Sequence, residues 1–257
     1  MNEIQQINNN IKLNSSPQKI VSLVPSITEL LFDIGFDKEI GIVTRFCKYP
    51  EKKLQNRTKL AGPKRIDFKL IEQYSPDLII AVKEENNRDD ILKLANKYNV
   101  LVLDIFDFES AIKEMNYLGQ ICYKEAEVKQ ITNEIIKKFE RNTEANKSAA
   151  YFIWHNPIMV AGGNTFINSM LEKAGFNNVF SSVSSYPTVE QNSDLLQKAE
   201  YILLSSEPFN FTEKHKEYYQ NIFPDAKVLL VDGEMFSWYG SRMLKAAEYF
   251  TPITFST

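Results

Sequence analysis

The 257-residue chain has few cysteines, histidines and glycines, and each shortage excludes a class of protein. Cys47 and Cys122 are the only cysteines, so a disulfide framework is excluded; they form either one bridge or two free thiols, and we expect the free thiols. The two histidines, and the lack of any CxxC, HExxH or HxH spacing, leave no predicted metal site built by the protein. The glycines show neither P-loop nor GxGxxG spacing, so nucleotide binding has no support.

The chain also lacks an excess of positive charge and any long apolar run. The net charge is -3 and lysines are scattered among acids, as on a solvated face, so no nucleic-acid partner is expected. No run is long enough to span a bilayer, and the first residues hold no apolar signal segment. The chain is therefore either cytoplasmic or an exported protein whose signal was removed.

What the sequence does contain is an alternation of strand-like and helical patterns. That alternation predicts α/β units with parallel strands. Ser26 and Glu29 fit a capping box at the start of the first helix, and Gly35 fits the residue of left-handed conformation that ends it. The strand-like runs of the first half are KIVSLV, EIGIV, DLIIAV and NVLVLD.

The second half repeats this plan in the same order. The segment around Gly35 resembles the one around Gly175, and each places a Gly-Phe pair between a helix and a short strand. A polar helix followed by a buried strand, IDFKLIEQYSPDLIIAV, resembles TVEQNSDLLQKAEYILL. Asp104 and Asp232 each follow a strand, with a phenylalanine nearby. The repeat predicts two similar α/β lobes with mainly parallel, Rossmann-like sheets.

A stretch without glycine or proline, residues 123–147, separates the two halves. Val128, Ile131, Ile135 and Phe139 recur at helical spacing on one face. Such a helix would be roughly 35 Å long. It is either a surface helix of one domain or a rigid connection between two lobes, and we predict the connection. The predicted organisation is an N-terminal lobe 1–122, a backbone helix 123–147 and a C-terminal lobe 148–257.

Open parallel sheets bind ligands beyond the carboxyl ends of their strands. Five loops that follow predicted strands carry aromatic and charged residues, and we expect a ligand cleft between the lobes there. The candidate ligand-binding residues are Arg45, Phe46, Trp154, His155, Tyr186, Glu207, Trp238, Tyr239 and Arg242.

The aromatic candidates offer flat apolar area for a ring-rich ligand. Phe46 and Tyr186 come shortly before turn prolines, and for them we favour ligand contact. Trp238 and Tyr239 fit ligand contact and packing equally. Trp154 directly follows a strand, so burial explains it nearly as well.

The polar candidates are two arginines, a glutamate and a histidine, and the last two keep two explanations each. Arg45 and Arg242 provide planar forks for carboxylate, amide or phosphate groups. Glu207 either docks a partner protein or solvates a loop. His155 is either an axial metal ligand or, beside Asn-Pro, a loop hydrogen-bonding residue. The sequence contains no GxSxG motif, and its pattern singles out no pair of carboxylates, so no catalytic residue is predicted.

Several segments resemble the substrate-binding proteins of ABC importers for vitamin B12 and ferric siderophores, most closely the cobalamin-binding branch. They are VSLVPSITE, DLIIAVKEEN, GGNTFI and DGEMFSWYGSR, and the resemblance runs from about Lys19 to Phe250. It implies two α/β lobes, one long backbone helix, no catalysis and no cofactor. Phe46 and Tyr186 would pack on the corrin, and Glu234 through Arg242 would supply polar contacts.

The resemblance implies capture of cobalamin or a related corrinoid for an ABC permease, by a monomer that is periplasmic or lipid-anchored. Glu72 and Glu190 lie near the positions of its importer-docking glutamates. A ferric-siderophore or haem binder of the same fold is one alternative. A cytoplasmic carrier or sensor without a permease is another, and a metal-cluster enzyme on two α/β lobes is the third.

Overall fold

The structure, a computed structural model, describes residues 3–140 and 147–253, with side chains as far as residue 250. The chain divides into two compact units. Unit 1 comprises Met1–Ile105, Glu109–Glu134 and Tyr239–Arg242. Unit 2 comprises Phe106–Phe108, Ile135–Trp238 and Met243–Thr257. Two short segments, 106–108 and 239–242, therefore depart from the predicted lobe ranges.

Unit 1 is built on a five-stranded parallel sheet with the order β3-β2-β1-β4-β5. The strands are β1 Ile20–Ser22, β2 Ile40–Thr44, β3 Thr58–Leu60, β4 Leu78–Val82 and β5 Val100–Leu103. The helices are α1 Glu3–Asn9, α2 Pro25–Asp33, α3 Glu51–Leu54, α4 Phe68–Tyr74, α5 Arg88–Ala95, and most of α6 Phe108–Cys122 and α7 Glu125–Phe139. Every residue of β1, β4 and β5 is buried, as expected for a parallel sheet covered on both faces.

Unit 2 has a second sheet, in which β8, β6, β9 and β10 are parallel neighbours in that order and β7 is antiparallel to β6. The strands are β6 Lys147–Trp154, β7 Met159–Val160, β8 Phe176–Asn178, β9 Tyr201–Ser205 and β10 Lys227–Val231. The helices are α8 Phe166–Lys173, α9 Glu213–Ile222, α10 Glu234–Ser237 and α11 Met243–Ile253. The predicted α/β class with mainly parallel sheets is confirmed in both units.

The two Gly-Phe pairs of the repeat occupy equivalent places. Gly35 follows α2 with φ +94°, and Gly175 follows α8 with φ +85°, a region that glycine adopts without a steric penalty. The predicted polar helix near residue 190 is wrong, because this stretch forms only a 3₁₀ turn, Leu196–Lys198. The capping box is also wrong: Val24 is the N-cap of α2 and Pro25 opens the helix, so Ser26 lies inside it.

The helix predicted for residues 123–147 is shorter in the structure. It begins at Glu125, after a turn at Tyr123 with φ 58°, and ends at Phe139, a length of about 22 Å. Residues 141–146 of the prediction lie outside the described part of the chain. Of the predicted apolar face, Val128, Ile135 and Phe139 are buried and Ile131 is half-buried. The boundary between the units falls inside α7, after Glu134.

Candidate functional site

Two of the predicted residues are exposed at the carboxyl end of β2 in unit 1. Phe46 is 46% exposed, and the guanidinium of Arg45 lies 4.8 Å from the centre of its ring. The ring packs on Gly62, where an added Cβ would lie 3.0 Å from a Phe46 ring carbon. An exposed ring beside an exposed cation presents both apolar area and hydrogen-bond donors to solvent. The ligand contact predicted for Arg45 and Phe46 stays a prediction.

Tyr239 and Arg242, by contrast, are buried within unit 1. The Nε and Nη2 of Arg242 donate to the two carboxylate oxygens of Glu29, each at 2.7 Å, and the guanidinium lies 3.8 Å from the centre of the Tyr49 ring. The Tyr239 hydroxyl donates to Glu85. Burial, and then the charge of Glu85, raises the pKa of Tyr239, so the phenol stays protonated.

Both side chains are at most 4% exposed, and the protein itself supplies their partners. A ligand that reached Arg242 would have to displace Glu29 from a buried bidentate pair, which is costly. The ligand contact predicted for these two residues therefore stays a prediction, while their observed contacts are structural. Cys47, the residue after Phe46, is buried, and burial raises the pKa of its thiol.

In unit 2, Trp154 ends β6 and is 40% exposed. Its indole N–H donates to the carbonyl of Asn156 at 3.1 Å, and the ring meets Phe209 edge to face at 5.5 Å. His155 is half-buried, and its Nδ1 lies 2.8 Å from the hydroxyl of Tyr219. Trp154 therefore has a fixed orientation and an open face, whereas His155 forms a hydrogen bond within the protein.

Glu207 and Trp238, which follow different strands, are brought together in unit 2. One Glu207 oxygen accepts hydrogen bonds from the Trp238 indole N–H at 2.7 Å and from the Ser237 hydroxyl at 2.9 Å. Trp238 is only 7% exposed. An added Cβ at Gly233 would lie 2.7 Å from Glu207 Cγ, so glycine permits this close approach of the two loops.

Tyr186 lies half-buried on a loop that the Gly162-Gly163 pair holds in place. The amide of Gly162 donates to Ser185 and that of Gly163 to Val183, at 2.8 and 2.7 Å. An added Cβ on Gly162 would lie 2.1 Å from the Val183 carbonyl oxygen. The double glycine thus allows two backbone segments to approach each other, which explains the motif without a nucleotide.

Two features of the site were missed by sequence reasoning. The only two histidines, 60 positions apart, have ring centroids 4.9 Å apart in unit 2. The second feature is a basic segment, residues 45–65, with eight lysines and arginines against one acid, Glu51. A count in a 20-residue window would have found the segment, whereas the meeting of the histidines depends on how unit 2 folds.

The basic segment borders two shallow depressions in unit 1, of about 450 and 550 Å³. Lys48 and Lys59 line the first, and Lys59, Arg65 and Phe68 line the second. Arg57 and Lys53 pair with Asp37, so part of this charge is compensated. Within residues 3–140 and 147–253, no group of three or more His, Cys, Asp or Glu side chains is arranged to hold a metal ion.

The fold and these loops define an α/β protein with two mainly parallel sheets and aromatic side chains exposed where strands end. The chain belongs to the periplasmic binding protein family, whose profile matches residues 20–223. In the part of the chain that the structure describes, no helix has both the length and the hydrophobicity needed to cross a membrane.

Among known proteins, the chain is similar to the Vitamin B12-binding protein of Pectobacterium carotovorum, with 22% identity over 90% of this chain and 86% of that protein. It is also similar to the solved structure of a possible iron-binding periplasmic protein from Staphylococcus epidermidis. That match has a TM-score of 0.77 and 20% identity, and it covers 93% of this chain and 98% of the other. The periplasmic heme binding protein of Vibrio cholerae matches with a TM-score of 0.77 and 16% identity, over 93% and 99% of the two chains.

Proposed function

We propose that the protein captures cobalamin or a related corrinoid and delivers it to an ABC importer. The observation that carries this proposal is the exposure of Phe46, since a phenylalanine that follows a core strand is ordinarily buried. Trp154 has the same property at the end of β6 in unit 2. The similarity to a vitamin B12-binding protein supports the same ligand, and membership of the periplasmic binding protein family supports a role in binding.

In this proposal the protein binds its ligand and does no chemistry on it. An exposed ring such as Phe46 in unit 1, or Trp154 in unit 2, would offer apolar area on which a large ring system packs, and Tyr186 has a polar tip. The glycine-held loop fixes the backbone beside Tyr186, and the indole hydrogen bond orients Trp154 before the ligand arrives, which lowers the entropic cost of binding.

A ferric siderophore or haem is the second candidate, and the basic segment favours it. Arg45, Lys48, Lys59 and Arg65 are exposed in unit 1, and an anionic chelate would be attracted to this charge. Cobalamin has no comparable negative charge to match it. The charge of the ligand therefore separates the two candidates.

The permease and the location complete the proposal. Glu72 and Glu190 are exposed, on unit 1 and unit 2 respectively, and are the candidate contacts with a permease. We propose a monomer in the cell envelope, as the family implies, with a cytoplasmic carrier as the alternative.

Equilibrium titration of the purified protein with cyanocobalamin, cobinamide, hemin and a ferric hydroxamate chelate tests the proposal. We expect a shift of the visible bands and binding heat with a corrinoid. Phe46→Ala and Trp154→Ala should each weaken that binding by about 1–3 kcal/mol. Lys214→Ala, on the exposed face of α9, is the control and should bind as the wild type does.

Binding of hemin or the ferric chelate without binding of a corrinoid would replace the first candidate by the second. Arg45→Gln should then weaken binding more than Lys214→Ala. If none of the four ligands binds, the proposed function is wrong.

A further inference from the structure

Helix α9 in unit 2 has an unusual cap, in which a histidine takes the place of the glutamate of a capping box. Thr212 is the N-cap, and the third helical residue is His215. The backbone N–H of Thr212 donates to His215 Nδ1 at 3.0 Å, and the Thr212 hydroxyl lies 2.9 Å from the same nitrogen. A backbone N–H can only donate, so Nδ1 carries no proton and the neutral ring is protonated on Nε2.

Protonation of this ring takes place on the atom that forms the cap. The Nδ1 of an imidazolium is a donor, so the Thr212 amide loses its acceptor when His215 becomes charged. The positive charge would also lie in the first turn of α9, where the helix dipole disfavours cations. A glutamate at this position would keep its acceptor down to about pH 4.

Few charged groups face His215 from the elements around it. On α9, Glu213 and Lys216 form a pair at 3.5 Å, and Lys214 is exposed. At the end of β6 lies His155, and the loop before α9 contributes the rings of Phe209 and Phe211, whose centroids are 5.2 and 5.6 Å from that of His215. Burial, and then the charge of His155, lowers the pKa of His215.

The His155 hydrogen bond does not have the same sensitivity. Its Nδ1 faces the Tyr219 hydroxyl, which can donate to a neutral ring and accept from a charged one. The Glu207 carboxylate, on the loop before α9, accepts from Trp238 and Ser237. Of the hydrogen bonds made by the two histidines, the one between the Thr212 amide and His215 is therefore the one that protonation removes.

We propose that His215 is a pH-sensitive cap, and that its protonation below neutral pH frees the start of α9 together with the loop that carries Phe209 and Phe211. Because the folded pKa lies below the unfolded value, the unfolded chain takes up the proton first as the pH falls. The stabilisation is complete above about pH 6.5 and declines as the pH falls through the folded pKa. The proposal needs no ligand, so it stands or falls separately from the proposed function.

Hydrogen exchange of the Thr212 amide, expressed as a protection factor, tests this cap directly. In the wild type we expect protection to fall about fivefold between pH 7.5 and pH 5. His215→Gln supplies an amide oxygen that accepts at every pH, so its protection should stay constant. His215→Ala should be poorly protected at both pH values, and His155→Gln, the matched control, should keep the fall.

Equal protection of the wild type at the two pH values, or the same fall in His215→Gln, would overturn the proposal. If the variants do not fold, the wild type alone decides. The midpoint of its protection loss must coincide with the titration of the His215 ring followed by NMR. Coincidence with the His155 ring instead would assign the effect to the other histidine and reject the proposal.

Discussion

Unit 1 and unit 2 share the same central strand order and differ at the edges of the sheets and in the loops. The parallel order β2-β1-β4-β5 in unit 1 corresponds to β8-β6-β9-β10 in unit 2. Unit 1 extends its sheet with the parallel strand β3, whereas unit 2 adds the antiparallel β7. The buried strands have kept the repeat, while the edges and loops have diverged.

The helix caps show the same divergence. Helix α5 connects β4 to β5, and its N-cap Asn87 accepts from the amide of Asp90 at 3.1 Å through an oxygen that does not titrate in this range. Helix α9 connects β9 to β10 and depends on His215. Equivalent connections thus carry a pH-independent cap in unit 1 and a titratable one in unit 2.

The largest expected effect is in unit 1, where the Arg242–Glu29 pair is buried. Arg242→Ala leaves the Glu29 charge buried without this partner and should lower the free energy of unfolding by about 3–5 kcal/mol. Arg57→Ala is the matched control, because its pair with Asp37 is more exposed and should contribute about 1 kcal/mol or less.

Denaturant unfolding, combined with hydrogen exchange of strands β1 and β9, would report on each unit. In Arg242→Ala we expect the amides of β1, in unit 1, to lose protection from exchange, and those of β9, in unit 2, to keep it. Equal stabilities of the two arginine variants would contradict the structural role of Arg242.

A smaller difference in stability is expected between alanine substitutions of two glycines, one in each unit. An added Cβ at Gly163 in unit 2 would lie 2.0 Å from the Ser181 carbonyl oxygen, and backbone cannot move aside easily. Gly163→Ala should therefore destabilise by about 1–3 kcal/mol. Gly62→Ala in unit 1 meets only the exposed ring of Phe46 at 3.0 Å and should cost about 0.5 kcal/mol or less. Thermal unfolding of both variants measures the difference, and a larger loss for Gly62→Ala would refute it.

The smallest expected effect concerns Glu207 in unit 2. Glu207→Gln retains an acceptor for the Trp238 indole but removes the negative charge, which should cost about 1 kcal/mol. The emission of Trp238, observed in a Trp154→Phe background, should change with it. Glu213→Gln, on the exposed start of α9, is the control and should leave the emission unchanged.

Much of the fold could be predicted because it depends on local patterns. Buried strands such as β4 are continuous apolar runs, and Gly35 and Gly175 mark helix ends that need a positive φ. The capping box failed because Pro25 opens α2 and leaves Ser26 inside the helix, and Glu29 pairs instead with Arg242, 213 residues away. A pairing over that distance leaves no periodic signal in the sequence.

The candidate site was predicted less completely, for the same reason. Phe46 and Trp154 were placed correctly at strand ends, because a strand end can be recognised from the run before it. Whether an aromatic such as Trp238 is exposed depends on a partner from another loop, here Glu207. The approach of His155 to His215 depends likewise on the packing of α9 beside β6.

The four residues Tyr239–Arg242, which complete unit 1, also bear on biosynthesis. During translation, β1 to β5 leave the ribosome long before Arg242 exists, so for most of synthesis Glu29 has no guanidinium to neutralise it. Domains of multidomain chains commonly fold in order from the N-terminus as they emerge. Here the sheet of unit 1 is synthesised first, but the unit is complete only when Tyr239–Arg242 have been made. Chains that stop before residue 239 should therefore be targets for chaperones and proteases.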